Sequence, residues 1–322
     1  MTAFITSVES VAEIVLVIAL GYLLQRRGKF DGQFKSSISF LIMDIALPAS
    51  IFVSVLKYLT RDKLASLSGG LLYAFGSFAV GYLIAWLLTK VLHVRPGRRG
   101  TFINMFVNAN TIFIGLPLNT ALFGLKSMPY FLIYYVVNTV STWAVGIFFI
   151  EADDPTKKKD GPKEPFNWKK LLPAPLVGFL VSLVFLLLAI PVPTWINDTL
   201  SMVGGVVTPL SLLYIGIVLA DAGLKSIHFD KDTIWALIGR FVIAPALMIF
   251  FLSLGTSVFG QTVPSIESST LIIQSAAPGL AVLPILAGQS HGDVDYATNV
   301  VTTSTVLFVI VVPILMQVLR FI

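Results

Sequence analysis

Residues 101–124 read Thr101-Phe-Ile-Asn-Met-Phe-Val-Asn-Ala-Asn-Thr-Ile-Phe-Ile-Gly-Leu-Pro-Leu-Asn-Thr-Ala-Leu-Phe-Gly124. A helix of that length reaches across the hydrocarbon core of a bilayer. Four Asn, two Gly and one Pro interrupt what is otherwise an apolar run. A lipid-facing helix avoids such a centre, because every backbone group freed in hydrocarbon is costly. The other half of the chain carries the same contradiction, in Ile272-Ile-Gln-Ser-Ala-Ala-Pro-Gly-Leu-Ala-Val-Leu-Pro-Ile-Leu286. Two interrupted segments at corresponding places in two halves are the sequence pattern of a secondary transporter's binding site.

The rest of the chain supplies the membrane context. Of 322 residues, 56% are hydrophobic and 12% charged, against about 25% charged in a soluble domain. Apolar runs recur from end to end at helix-spanning length. The alternating ten-residue segments of a membrane barrel are missing. The fold class expected is therefore an all-α membrane protein. The net charge of +5 sits in the loops between apolar runs, which is a membrane-orientation pattern and not a nucleic-acid surface. The absence of Cys rules out disulfide and thiolate chemistry. The N-terminus lacks a basic leader region, so the first span is expected to stay as an anchor.

The reading gives ten spans, near 4–25, 34–57, 69–93, 101–124, 128–150, 171–191, 195–221, 232–256, 266–289 and 296–320. A hydrophilic linker, 151–170, divides a first five-helix unit (1–150) from a second (171–322). With the N-terminus outside, sixteen basic residues fall on the cytoplasmic side: Arg26, Arg27, Lys29, Lys35, Lys90, Arg95, Arg98, Arg99, six linker lysines, Lys225 and Lys231. Five fall outside: Lys57, Arg61, Lys63, Lys126 and Arg320. That asymmetry places both termini outside and the linker in the cytoplasm, as in a plasma-membrane protein. Five spans per half would set the halves in opposite orientations, an inverted repeat in which broken helices 4 and 9 cross.

Within span 4, Asn108, Asn110 and Thr111 lie near the middle, and Asn104 shares a face with Asn108. Pro117 removes a donor and Gly115 permits unwinding. Span 9 brings Gln274, Ser275, Pro278 and Gly279 to similar depth, with Pro278-Gly279 a strong breaker pair. Open helix ends offer bare N–H groups and partial positive charge, which suits a carboxylate. Asn138 of span 5 joins these as a candidate substrate ligand, and Asn299 is its counterpart in span 10. Packing through small polar residues is the competing reading, especially for Thr139–Thr142 and Thr302–Thr305. Arg240 lies inside span 8, where an unpaired Arg costs about 2.5–3.5 kcal/mol. It is expected to meet a carboxylate, the carbonyls of a broken helix, or substrate. Asp44 and Glu13, also within spans, are the candidates for a coupling ion, because a buried carboxyl takes up a proton readily. An internal salt bridge or a water-facing position is the alternative.

His93, His228 and His291 stand at span edges without metal spacing. No nucleophile elbow and no phosphate-binding glycine loop is present. The sequence thus points away from an enzyme, a metal site, a bound cofactor and an ATP-driven motor.

Taken together, these motifs resemble the auxin efflux carrier family, and within it the bacterial malate or malonate permease branch. The likeness rests on Asn110-Thr111 with Gly115-Leu-Pro117, on Gln274-x-Ala276-x-Pro278, on Arg240-Phe241-x-x-x-Pro245-Ala246 and on Gly216-Ile-Val-Leu-Ala220. It implies a crossover of unwound spans 4 and 9, a scaffold of spans 1, 2, 6 and 7 that is often dimeric, and a mobile domain of spans 3–5 and 8–10. The implied activity is secondary transport of a small organic anion such as malate, with a proton or sodium as coupling ion. A sodium-coupled carrier of the bile-acid type and a non-transporting ligand sensor are the alternatives. Plant members place Pro just before the span-4 Asn, whereas this chain has Ala109, so the bend is expected to rest on the Asn residues and Gly115.

Overall fold

The computed structural model of the chain describes residues 2–156, 173–223, 227–260 and 263–319, without the side chains of 2–11, 62–68, 222 and 259. The linker lysines, Lys225, Arg320 and the side chain of Lys63, all counted above, lie outside the described residues. Every regular element among those described is helical.

The helices are α1 (Thr2–Arg26), α2 (Gly32–Phe40), α3 (Leu47–Tyr58), α4 (Arg61–Val91), α5 (Arg99–Val107), α6 (Leu116–Phe123), α7 (Met128–Val140) and α8 (Ile147–Ala152). After the linker come α9 (Ala174–Leu188), α10 (Thr194–Gly205), α11 (Val207–Ala222), α12 (Lys231–Ile238), α13 (Ala244–Phe259), α14 (Ser265–Ser275), α15 (Leu283–Gln289) and α16 (Val294–Val318). Among the described residues six helical runs are long and apolar enough to cross a membrane: Gly32–Tyr58, Gly69–Val91, Leu125–Ala152, Thr194–Asp221, Lys231–Val258 and Val294–Val318.

Several of these runs contain a widened π turn. Such turns cover Leu41–Ala46, Thr111–Gly115, Ser141–Gly146 and Gly239–Ile243. Three of the four lead into a proline, at Pro48, Pro117 and Pro245, in the first turn of the next helix. Proline brings no donor and its ring crowds the carbonyl four residues back. An extra residue in the turn lets that carbonyl swing aside without ending the helix.

Glycines set the closest helix contacts. α1 lies along α11, where Gly21 abuts the Leu213 backbone and Gly216 abuts Ile18 and Tyr22, leaving no room for a Cβ at either. α9 lies along α3, with Gly178 against Pro48, and Gly204 of α10 fits against Ser50. Small residues allow such approach where lipid offers no hydrophobic drive for association. A second group forms from α4, α5, α7 and α12–α16. At one end of it Arg98 binds Asp230 and Asp293 at 2.6 Å each and lies over the Tyr296 ring. Those carboxylates cap α12 and α16, so one guanidinium ties two helix starts to the loop before α5. The groups meet where α11 touches α6 and α3 touches α7. There Phe113 stacks on Tyr214 with ring centroids 4.5 Å apart.

Candidate functional site

The helix of α5 stops at Asn108, whose backbone is extended, and helical structure resumes at Thr111. The helix of α14 stops at Ser275 and resumes with α15. The two gaps lie side by side. Ala109 and Gly279 form an isolated antiparallel bridge, and the Asn110 N–H donates to the Pro278 carbonyl at 2.7 Å. The interrupted segments thus satisfy part of each other's backbone.

The first gap is framed by amides. Asn138 accepts from the Ala109 N–H at 2.8 Å and donates to the Ala109 carbonyl at 3.0 Å. A proline at 109 would have no N–H to offer, so the Ala is matched to Asn138. Asn104 donates to the carbonyls of Gly100 and Gly146. Asn108 donates to Asn104 Oδ1 and to the Tyr82 hydroxyl, and accepts from Ser141. Gly146 makes this possible, since a Cβ there would collide with both Asn104 and Asn108. Asn110 caps the next helix by accepting from the Phe113 N–H. Among the described residues its amide nitrogen meets no acceptor, and the residue is 8% exposed.

The second gap is held by contacts that link α14 and the turn after it to other segments. Gln274 donates to the Gly115 carbonyl at 2.8 Å, while its Oε1 is buried and unpaired. Arg240 is 0% exposed and donates to the Ser275 carbonyl, the last of α14. The Tyr134 hydroxyl lies beside it, and its Nε and Nη1 have no partner. They border a small cavity that also touches Ser77 and Phe106. Ser304 accepts from the Gly279 N–H at 3.3 Å.

Asn108, Asn110, Thr111, Asn138, Gln274, Ser275, Pro278 and Gly279 therefore come together, and Arg240 stands behind them, within the second helix group. Asn299 does not join: it clamps the backbone of His228. Asp44 and Glu13 do not join either. Both are exposed on their helices, which corrects the expectation of burial: position along a span fixes depth, not the face presented.

A cavity of about 190 Å³ opens between the groups, one side lined by Ser50, Ser54 and Thr208, the other by Thr120 and Met128. Ser54 is buried from the outer surface and lines this cavity. Residues Met128 and Val207 on its wall begin α7 and α11, so two helix N-termini border it. These hydroxyls carry no distinguishing signal in the sequence, because single Ser and Thr in apolar spans read as packing.

The model of the family described as membrane transport protein matches residues 6–316. The chain belongs to that family. An uncharacterized transporter of Methanothermobacter thermautotrophicus is 23% identical over 314 residues, covering 96% of this chain and 97% of that one. An uncharacterized transporter of Methanocaldococcus jannaschii is 21% identical over 310 residues, covering 93% and 94%. Membership of this family makes the chain a membrane transporter and not an enzyme.

Proposed function

We propose that the protein is a secondary permease for a small organic anion, of the malate class of dicarboxylates, working by elevator-like alternating access. The observation that carries this reading is Asn110. Its amide nitrogen is an unspent donor at the point where two helix gaps meet. A carboxylate there would find that donor together with bare N–H groups at the ends of interrupted helices. The hydroxyl-lined cavity between the helix groups is the approach, and its volume of about 190 Å³ suits a small anion.

The architecture behind this reading is ten spans in two inverted five-helix repeats, 1–150 and 171–322, joined by a cytoplasmic linker, with both termini outside. The reciprocal pairing of α1 with α11 and of α9 with α3 is what such a repeat would produce. The group containing α1, α3, α9 and α11 would be the static scaffold, dimeric if the family resemblance holds. The group containing both gaps would move, with the Phe113–Tyr214 contact sliding between them.

Purified protein in liposomes should show counterflow of labelled malate, tested beside malonate, citrate and indole acetate. Asn110→Ala should fold normally and lose that flux. Wild-type flux in Asn110→Ala would break the site assignment. Saturable binding without flux would favour the sensor, and strict sodium dependence the bile-acid-type carrier.

A further inference from the structure

Glu267 lies in the first turn of α14, at a span edge that the sequence alone would leave to solvent. It is 2% exposed. Its carboxyl reaches the α4 backbone through the space left by Gly70, where a Cβ would sit 2.5 Å from Oε1. No described residue donates a hydrogen bond to it or forms an ion pair with it. An ionised carboxylate taken out of water without donor or cation is among the costliest arrangements a protein can hold. A neutral carboxylic acid in the same place is tolerated.

We propose that Glu267 is the proton-binding site that couples transport to a pH gradient. The inference rests on the transport reading above and names its coupling ion. Among the described residues the groups around the carboxyl are few; the side chains of Ser66 and Ser68 on α4 lie outside them. Tyr73 of α4 and Tyr130 of α7 are within electrostatic reach. α13 and α6, which also touch α14, present no titratable side chain. Lys126, on the turn beside α14, is exposed and makes no ion pair with it. The side chains of Asp62 and Lys63 lie outside the described residues.

The position also explains how a proton would be felt at the gap. Glu267 and Ser275 are the third and last residues of one helix, about 12 Å apart at 1.5 Å per residue. Tyr130 and Tyr134 are one turn apart on α7 and share a face. Tyr134 borders Arg240, and Arg240 holds the Ser275 carbonyl. Charging Glu267 would place a carboxylate at one end of this polar line and a guanidinium at the other. The end of α14 at the second gap is then drawn by a field that vanishes on protonation.

The test uses the full chain. Infrared difference spectra of wild type against Glu267→Gln at neutral pH should show a protonated carboxyl band that the variant loses. In liposomes Glu267→Gln should keep malate counterflow, which needs no gradient, and lose accumulation driven by a pH gradient. Glu267→Asp should restore part of it. Vesicles of wild type loaded with a pH dye should report proton movement with malate, which covers the case that the Gln variant does not fold. A missing carboxyl band, unchanged gradient-driven accumulation in Glu267→Gln, or malate flux without proton movement would each overturn the proposal. Absence of any anion flux in the wild type would sink the transport reading and the coupling with it. The infrared band, read without substrate, separates that failure from an error about Glu267 itself.

Discussion

The gap after Val107 is wrapped in side-chain amides from its own neighbourhood, whereas the gap after Ser275 is cut by Pro278 and Gly279 and held by Arg240, Gln274 and Ser304. Asn104 and Asn138 between them occupy the carbonyls of Gly100 and Gly146 and both backbone groups of Ala109, and Asn108 links Asn104 to Tyr82 and Ser141. The second gap has no such frame; its nearest supports are single contacts to Ser275, Gly115 and Gly279. A helix can therefore be opened inside a membrane in two ways. One substitutes side-chain amides for the missing backbone partners. The other removes the donor with proline and lets distant groups cover what remains. The first frame is closed by several amide hydrogen bonds drawn from α4, α7 and the turn after it, and the second by single contacts.

That contrast predicts unequal costs. Asn138→Ala leaves the Ala109 N–H and carbonyl buried without partners, at about 1–3 kcal/mol for each. It should give the largest loss of thermal stability in detergent, and an unchanged melting temperature would show that the amides do not hold the first gap. Gly146→Ala drives a Cβ into Asn104 and Asn108 and should cost about 1–3 kcal/mol, read by the same melt. Ser304→Ala removes one long contact to the Gly279 N–H and should cost at most about 1 kcal/mol. If Ser304→Ala proved as damaging as Asn138→Ala, the two gaps would be equally dependent on their frames and the distinction would fall.

Much of this was legible in the sequence because the interruptions violate a strong rule. Asn108, Asn110, Pro278 and Gly279 stand out only because everything around them is apolar. Their meeting also followed from the antiparallel course of the two segments. What was not legible depends on rotation about the helix axis. Asp44 and Glu13 lie within their helices but on an exposed face. Glu267 has an edge position and a buried face, which only the packing of α4 and α7 on α14 could decide. Asn299, expected as the counterpart of Asn138, clamps the backbone of His228 instead. Arg240 was expected to meet a carboxylate, a broken helix or substrate, and meets the end of α14. The choice among those three needs the third dimension.

The single bond from the Asn110 N–H to the Pro278 carbonyl joins residues made far apart in time during translation. Once residues up to Gly146 have emerged from the ribosome, the amide frame of the first gap already has all its parts. When Pro278 emerges, its own gap has no comparable frame, and its partners Gly115 and Asn110 belong to chain already made. The earlier half can therefore serve as the mould on which the later half sets.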